Sequence, residues 1–491
     1  MSGKYIKSWA IYESLKSDIF KNIDNFIKPH IKQQNISGVN VGIFKNGETI
    51  LKKSWGLASI EMDVKLKPDH IFEIASLTKQ FTGAAIMQLV EKGKISLDDS
   101  ITKWISVDTD GKKITIRNLV EHTSGLGFGL PGDPRLKNSI TKNGRKVDLP
   151  WDDLGISLDD LLDKDTRHRI LKLSSGIKSE FEPGFEQSYS NFGYFLLGLI
   201  IEKVSGKTYE DYIQKNIFDK AGMKSSYCGN YDGIVKDKVS GYDRKNLKGE
   251  GLSNDMILVK AKSANLNVPF SAGCINSNLE DMNKWNQFVH GGKFLKEETY
   301  KEYIQVAQLS SGELTKYAKG LCIIDWKGKK LFFHSGGIPG FSSMSFYFPE
   351  EKVSIVVLIN TEGFNIPRFS KNFDTNLSFG LNFIIANYAA NLLFDKEDSD
   401  FRLFGIKEVV FKGNYNDYTG LYKNSTFVQP NRMTIEIINS NGLKMKLNGA
   451  KKSAPLYYVG DDSFSDGDSI LKFTGKEVHL NACGGYFKLK K

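Results

Sequence analysis

The chain has 491 residues, and its 67 Lys and Arg against 57 Asp and Glu give a formal net charge of +10. Its 40% hydrophobic and 12% aromatic content excludes disorder as the main state, because such a chain can bury a large core. At roughly 150 residues per domain, the length allows two or three domains. The charge excess is split evenly between residues 1–404 and 405–491 without a basic stripe, so we expect no nucleic-acid binding.

No feature of the sequence predicts export or membrane insertion. The first residues lack the continuous apolar stretch of a secretory signal, and the longest apolar run, residues 195–201, is far shorter than the roughly 20 residues that cross a bilayer. We therefore expect a cytoplasmic protein without an integral membrane segment. No metal or cofactor is predicted, because the cysteines form no CxxC pair and lack metal-ligand spacing. We expect buried free thiols at Cys228, Cys274, Cys322 and Cys483.

The N-terminal part of the chain predicts a helix followed by a β-hairpin. Apolar residues recur at helical spacing over residues 12–31. Two strands, residues 39–45 and 48–54, flank Asn46-Gly47. This dipeptide indicates a tight hairpin, because both central positions of a type I′ turn need positive φ.

Two apolar helices are predicted next, with a polar segment between them. Residues 75–91 are apolar around most of the helix circumference, which indicates a buried helix. Residues 126–178, rich in Gly, Asp and Lys, are expected to form an insertion or lid. The second helix covers residues 194–204 and ends at Gly206 with a glycine C-cap.

The second half of the chain predicts antiparallel strands and then a separate β domain. Short turns join four predicted strands, residues 321–326, 330–334, 343–348 and 353–360, so neighbours should be antiparallel. A closing helix is expected over residues 377–394. Beyond it only β patterns occur, as in residues 434–438 and 443–447. We therefore divide the chain into a domain of residues 1–404 and a small antiparallel β-barrel of residues 405–491.

The first candidate for chemistry is Ser76-Leu77-Thr78-Lys79 at the start of the buried helix. Residues three apart share a helix face, so the Lys79 amine can reach the Ser76 hydroxyl. Burial disfavours the ammonium form and makes the amine a usable base for a serine nucleophile. The same spacing occurs in polar or β segments at Ser100, Ser139, Ser175 and Ser469.

Two further elements contain suitable side chains. Tyr189 and Asn191 stand just before the second apolar helix, where Tyr189 could relay a proton and Asn191 could bind a substrate amide or hold Lys79. The other element is His334, Ser335, Gly336 and Gly337, which stand at the end of a predicted strand. Its small residues allow a substrate to lie along the strand edge. There the main-chain N–H of Gly337 could join that of Ser76 as an oxyanion hole.

Competing matches exist for both elements. Tyr422 and Asn424 have the same spacing as Tyr189 and Asn191, and His290 also precedes two glycines, although it follows a helical segment. A buried, hydrogen-bonded tyrosine and a structural histidine are the alternatives for each element taken alone.

Taken together and in order, these elements resemble the serine β-lactamase superfamily. The resemblance covers about residues 10–395 and is closest to the class C-like branch of penicillin-binding proteins, esterases and D-aminopeptidases. The motifs that carry it are residues 72–79 (FEIASLTK), 119–126 (LVEHTSGL), 183–184 (PG), 189–194 (YSNFGY) and 334–337 (HSGG). Residues 418–422 (YTGLY) are similar to the lipocalin-like domains appended to some of these relatives.

The resemblance implies an α+β fold, in which an antiparallel sheet is flanked by helices and contains an inserted helical subdomain. It also implies that Ser76 attacks a carbonyl to form an acyl-enzyme, while Lys79 and Tyr189 share general acid and base work. Either of the two could remove the serine proton. Asn191 would orient substrate, and residues 122–125 are interpreted as structural.

One departure from the family pattern bears on substrate. The Lys-Thr-Gly of β-lactamases, which helps to bind a carboxylate, is replaced by His334-Ser335-Gly336. Histidine, with an ordinary pKa of about 6.5, is a weaker anion anchor than lysine. We therefore expect a hydrolase of esters, amides or small peptides, with D-amino-acid or β-lactam-like compounds also open. The alternative is a non-catalytic scaffold or binding protein that retains the fold. The oligomeric state is left open.

Overall fold

A computed structural model shows a central antiparallel sheet between helices and a second sheet near the C-terminus. It describes residues 19–32, 35–127, 140–142, 145–147, 167, 170–171, 179–229, 234–246, 256–262, 265–362, 380–394, 409–424, 434–440, 442–447, 453–466, 469–483 and 485–491. The α-helices are α1 (19–32), α2 (Thr78–Glu91), α3 (Ile116–Val120), α4 (Asn191–Ser205), α5 (Tyr209–Ile213), α6 (Asp219–Ala221), α7 (Leu279–His290), α8 (Glu297–Tyr303) and α9 (Leu381–Leu393).

The strands in the first 360 residues are β1 (Gly38–Lys45), β2 (Glu48–Ser59), β3 (Val64–Lys65), β4 (Phe72–Glu73), β5 (Ile140–Lys142), β6 (Arg145–Val147), β7 (Gln187–Ser188), β8 (Tyr227–Cys228), β9 (Tyr242–Asn246), β10 (Met256–Lys260), β11 (Ile275–Ser277), β12 (Cys322–Trp326), β13 (Lys329–Ile338), β14 (Phe341–Phe348) and β15 (Val353–Ile359). The strands after them are β16 (Gly420–Asn424), β17 (Thr434–Asn439), β18 (Leu443–Leu447), β19 (Ala454–Pro455), β20 (Tyr457–Gly460), β21 (Ser463–Ser465), β22 (Ser469–Thr474), β23 (Glu477–Ala482) and β24 (Gly485–Lys490).

The central sheet has the strand order β12-β13-β14-β15-β1-β2-β3. Its neighbouring strands are antiparallel, as the short connections predict. The hairpin between β1 and β2 is confirmed, because Asn46 and Gly47 have φ values of 53° and 82°. The expected α+β class, with an antiparallel sheet flanked by helices, is likewise confirmed.

Strand β15 shows that this sheet is covered on both faces. All of its residues are buried. Ile355 and Val357 belong to the core formed with α1 and α9, whereas Val356 and Leu358 belong to the core formed with α2 and α7. A continuous apolar run is the expected pattern for a strand buried on both sides. The sheet is therefore a rigid base for β13, two strands away.

Every residue of helix α2 from Thr78 to Leu89 is buried. The side chain of Lys79 therefore lies in the interior. The prediction that the helix opens at Ala75 is wrong by one turn. Ala75–Leu77 forms a 3-10 turn, and the α-helix starts at Thr78. The reason is that Ala75 has a φ of 49°, which is outside the right-handed helical region.

The predicted strand end at His334 is also wrong, because β13 continues to Ile338. Gly336 and Gly337 pair with Ser343 and Ser342 of β14. Glycine weakens an isolated strand, but here the neighbouring strand holds the backbone. The four residues from His334 to Gly337 therefore lie in one regular strand.

Most of the predicted insertion, residues 126–178, lies outside the described residues. Strands β5 and β6 within it form a small hairpin. After it, helix α4 ends at Gly206, which has a φ of 67° and confirms the predicted glycine C-cap.

The C-terminal sheet runs in the order β19-β18-β17-β16-β24-β23-β22-β21-β20. Only Leu456 separates β19 from β20 along the chain, so the sheet returns on itself as a nearly closed barrel. Its interior is apolar and includes Tyr422, Phe464 and Leu489. The boundary at residue 404 stays a prediction, since residues 395–408 lie outside the described residues, and so does the lipocalin-like character.

All four cysteines are free thiols, as expected; Cys274, Cys322 and Cys483 are buried and Cys228 is partly so. None of the helices in the described segments combines the length and apolar composition that spanning a bilayer requires. The cytoplasmic location stays a prediction.

Candidate active site

Ser76 lies in a turn that hydrogen bonds hold from two sides. Ala75 before it has a left-handed φ of 49°, which is strained for a residue with a Cβ. The Ile74 N–H donates to the carbonyl of Ile275 at 3.0 Å, and the Ile74 carbonyl accepts from Ser343 Oγ at 2.8 Å. The half-buried Ser76 is thereby presented at the N-terminal end of α2, where free N–H groups favour negative charge.

Lys79 is fully buried, and oxygen atoms of Asn191, Ala272 and Ser76 lie around its amine. Nζ lies 2.8 Å from Asn191 Oδ1, 2.8 Å from the Ala272 carbonyl and 3.1 Å from Ser76 Oγ. The amide and carbonyl oxygens can only accept, so they take two N–H bonds. The third tetrahedral direction of the nitrogen faces the Ser76 hydroxyl. In the neutral amine that direction is a lone pair, which can accept the serine proton.

The residues before and at the start of α4 bring Tyr189 and Asn191 to Lys79. Ser190 caps this helix with its side chain, and its N–H donates to His122 Nδ1 at 3.1 Å. Asn191, the first residue of the helix, contacts Lys79 directly. The half-buried Tyr189 has its ring centroid 4.7 Å from Lys79 Nζ. Both side chains therefore lie next to the amine.

His122 is a buried support beneath Tyr189, with ring centroids 4.5 Å apart. Its Nδ1 accepts from the Ser190 N–H, so Nε2 holds the proton of the neutral ring. Burial lowers the pKa of His122 well below its ordinary value, and the positive charge of Lys79 acts in the same direction. These contacts support the interpretation of residues 122–125 as structural.

His334 is buried in strand β13 and is held as a neutral ring. Its Nδ1 lies 2.6 Å from the Ser335 carbonyl, and its Nε2 lies 3.0 Å from the Tyr317 hydroxyl. Because a carbonyl only accepts, Nδ1 carries the proton and Nε2 accepts from Tyr317. Burial and the nearby Lys79 charge lower the pKa of His334 to about 3. This position therefore offers no positive charge near pH 7.

Strand β13 passes close to the Ser76 turn at Gly336. A Cβ on Gly336 would lie 2.2 Å from the Ile74 carbonyl oxygen, so a side chain does not fit there. Ser335 and Gly337, on either side, are half-buried. The pairs between β12 and β13 end at Phe333, so the His334–Ile338 part of β13 is paired with β14 but not with β12. This edge borders the Ser76 turn.

The structure thus brings together Ser76, Lys79 and Asn191 by direct contact, with Tyr189 over the amine and Gly336 against the Ser76 turn. His334 is linked to Tyr317, which lies T-shaped to Tyr189 at 6.2 Å between ring centroids.

The sequence patterns miss two contributors to the site, Tyr317 and the Ala272 carbonyl. A local signal for Tyr317 exists in Gly320, which has a φ of 95° and whose Cβ would lie 2.3 Å from the Lys79 carbonyl. Such a glycine marks a close backbone approach. It shows that the segment containing Tyr317 packs on the helix of Lys79.

Within the described ranges, no group of three or more His, Cys, Asp and Glu side chains is arranged to hold a metal ion. The expectation of a site without metal or cofactor stays a prediction.

The buried histidines predict a loss of stability in acid. Burial lowers the pKa of His290 and of His334 to about 3 in the folded protein, against about 6.5 when unfolded. Below pH 6.5 the unfolded state therefore binds more protons, and the free energy of unfolding falls as pH falls towards 3. Urea titrations at pH 4 to 7 should show this dependence of the free energy of unfolding on pH. In His290→Gln its slope should be smaller by about 1.4 kcal/mol per pH unit. An unchanged slope in the variant would contradict the prediction.

Most of the chain is similar to proteins of one known family. The family described as Beta-lactamase matches residues 23–375. Protein flp of Staphylococcus aureus (strain MW2) is 30% identical over 378 residues, which cover 74% of this chain and 67% of flp.

Two solved structures share the fold. The octameric penicillin-binding protein homologue from Pyrococcus abyssi superposes with a TM-score of 0.59 at 24% identity, covering 96% of this chain and 100% of that one. The D-amino acid amidase from Ochrobactrum anthropi gives a TM-score of 0.56 at 24% identity, covering 70% and 91%. At these identities the likeness shows a common fold.

Proposed function

The chain belongs to the β-lactamase family, and from this premise we propose that it is a serine hydrolase that forms an acyl-enzyme on Ser76. The observation that carries the proposal is the placement of the Lys79 amine. Two acceptors, Asn191 Oδ1 and the Ala272 carbonyl, hold the amine at 2.8 Å each, in a position where it lies 3.1 Å from Ser76 Oγ. A nucleophile oriented towards a buried base is the arrangement that acyl transfer needs.

Acylation follows from this geometry. Neutral Lys79 accepts the Ser76 proton as Oγ forms a bond to the substrate carbonyl carbon. The resulting oxyanion is stabilised by the main-chain N–H groups of Ser76 and Gly337. Collapse breaks the bond to the leaving group, which takes the phenolic proton of Tyr189 and departs as an alcohol or amine. Tyr189 regains a proton from Lys79.

Deacylation reverses the roles with water as the nucleophile. Water loses a proton to Lys79, directly or through the Tyr189 hydroxyl, as its oxygen attacks the acyl carbon. Lys79 gives this proton back, by the same route, to Ser76 Oγ as the ester bond to that oxygen breaks. The products are the free acid and regenerated enzyme. No group beyond these side chains and water is required by this scheme.

The substrate class that we propose is an ester, an amide or a short peptide without a carboxylate at the β13 subsite. Neutral His334 replaces the lysine that would pair with such a carboxylate. Similarity to a D-amino acid amidase supports an amide as a member of this class. Efficient β-lactam hydrolysis is not expected.

Tyr189→Phe is expected to slow hydrolysis of ethyl butyrate about 100-fold, because general acid catalysis of the leaving alcohol is lost. p-Nitrophenyl butyrate should be slowed less than about 10-fold, since its leaving group departs without a proton. Steady-state kcat/KM for the two esters measures the difference.

The matched control is Tyr194→Phe. The Tyr194 ring centroid is 5.5 Å from Lys79 Nζ, and its hydroxyl donates to the Val120 carbonyl at 2.8 Å. Loss of the Tyr194 hydroxyl should cost about 1–2 kcal/mol of stability and leave the ratio of kcat/KM for the two esters unchanged. Equal slowing of both esters by Tyr189→Phe would argue against a proton-donating role.

The proposal is tested by turnover of a small panel, namely p-nitrophenyl butyrate, D-phenylalanine amide and a chromogenic cephalosporin. We expect hydrolysis of the ester or the amide, or both, at rates well above that of the cephalosporin. Folded full-length protein that turns over none of the three would favour the alternative, a non-catalytic scaffold.

A further inference from the structure

The C-terminal barrel reaches into the catalytic unit by strand pairing. Its last strand, β24, pairs with the two-residue strand β7, with Gly485 opposite Ser188 and Tyr486 opposite Gln187. Strand β7 ends one residue before Tyr189. The barrel therefore extends a sheet onto the backbone that leads directly to the proposed proton donor.

Two side-chain contacts fasten the same segment. Phe181, six residues before β7, is buried in the apolar core of the barrel. Asn424, in barrel strand β16, donates through Nδ2 to Glu186 Oε2 at 3.2 Å, and both side chains are buried. The segment from Phe181 to Ser188 is thus tied to the barrel by a buried ring, a buried polar bond and backbone pairing.

The barrel also holds the segment that contains Tyr317. Asn481 Nδ2 donates to the Leu314 carbonyl at 3.1 Å. The buried Cys322 thiol lies 3.7 Å from the carbonyl of Cys483 in the barrel. Tyr317, between these two anchors, is the hydrogen-bond donor to His334. The barrel therefore contacts two segments of the candidate site, the one that leads to Tyr189 and the one that contains Tyr317. It supplies none of the proposed catalytic side chains.

We propose that the C-terminal barrel is a positioning element of the active site, and that Gly485 is the positioning residue that lets it dock onto the backbone leading to Tyr189. The inference rests on the proposed function. It assigns the barrel a role in proton transfer to the leaving group. Substrate binding and assembly need not involve this contact.

Gly485 is required by the close approach of the two strands. A Cβ at this position would lie 2.8 Å from the Gln187 carbonyl oxygen and 2.2 Å from the Phe487 ring. The ring can turn aside, whereas the carbonyl belongs to the backbone of β7. A β-branched side chain at position 485 would therefore push β7 away from β24 and release the segment before Tyr189.

The experiment compares full-length wild type with Gly485→Val and with the control Thr474→Val, an exposed position in barrel strand β22. The first readout is the rate of N-ethylmaleimide labelling at each cysteine, followed by peptide mass spectrometry. Cys322 and Cys483 lie in the interface, and Cys274, buried in the catalytic core, is the internal reference. We expect labelling of the interface pair to rise at least 10-fold in Gly485→Val, with Cys274 unchanged.

The second readout is kcat/KM for ethyl butyrate and for p-nitrophenyl butyrate. In Gly485→Val the ethyl ester should be slowed at least 10-fold more than the nitrophenyl ester, as expected when Tyr189 is displaced. A merely destabilised protein would slow both alike. Asn424→Ala, a milder change that keeps the strand pairing, should shift both readouts in the same direction by about 3-fold and serves if Gly485→Val does not fold.

The outcomes separate this inference from the proposed function. Raised labelling of Cys322 and Cys483 with an unchanged ester ratio would overturn the positioning role, and so would unchanged labelling in both variants. Wild type that hydrolyses neither ester and leaves D-phenylalanine amide intact would contradict the proposed function, whatever the labelling shows.

Discussion

A Ser76→Ala variant is expected to lose ester and amide turnover by roughly 10⁴-fold or more, because the oxygen that forms the acyl-enzyme is gone. The fold should be kept. Ser76 is half-buried, and the hydrogen bonds that hold its turn are made by the backbone of Ile74. Initial rates with p-nitrophenyl butyrate, together with circular dichroism, measure both effects.

The matched control for this variant is Ser100→Ala. Ser100 has the same spacing to a lysine, but its hydroxyl bonds with Thr102 Oγ1 at 2.8 Å, and Lys103 Nζ lies 3.0 Å from Asp99. It should retain wild-type rates. Residual turnover in Ser76→Ala above about 1% of wild type would mean that another group is the nucleophile.

Lys79→Met is expected to lower the rate of acylation about 10³-fold, because the serine hydroxyl loses its base. Methionine is similar in length and cannot accept the proton. The variant should also lose about 1–3 kcal/mol of stability, since Asn191 Oδ1 and the Ala272 carbonyl lose the donor that they share. The rate at which a fluorophosphonate phosphonylates Ser76, a step that needs the same base, and thermal unfolding measure the two effects.

Lys103→Met is the control for the loss of a lysine at this spacing. Its ammonium pairs with Asp99 at the surface and has 55% side-chain exposure, so the contribution to stability is below about 1 kcal/mol. Acylation should be unchanged. If Lys79→Met reacted with the fluorophosphonate at the wild-type rate, Lys79 would not be the base in acylation.

The elements that sequence predicts well are those whose signals are local. Asn46-Gly47 specifies its hairpin through positive φ values alone, and helix α4 ends where Gly206 allows a left-handed residue. The buried character of Lys79 also follows from the sequence, because the apolar residues of α2 cover most of its circumference.

The elements that sequence does not predict depend on distant partners. Ala75 is pushed out of the helix by a turn that Ile275 and Ser343 hold from other parts of the chain. The continuation of β13 through Gly336 needs β14 beside it. Strand β7 has two residues and no pattern of its own; its pairing with β24 joins positions about 300 apart.

The role of Tyr317 has the same origin. Tyr317 donates to His334, which lies 17 residues further along the chain in strand β13, and no sequence neighbour of either residue predicts this bond. The pairing of Ser76 with Lys79 can be predicted because the two residues are three positions apart in the sequence. The residues that support this pair, such as Tyr317, are identified only from the three-dimensional structure.

The central claim is tested most directly by finding which residue a serine-directed probe modifies. Full-length protein is treated with a fluorophosphonate, digested, and analysed by peptide mass spectrometry. We expect one equivalent of adduct, located on Ser76. Ser100 and Ser469, which share the spacing to a lysine, should carry none. An adduct located on any other residue, or folded protein that stays unlabelled, would contradict the account.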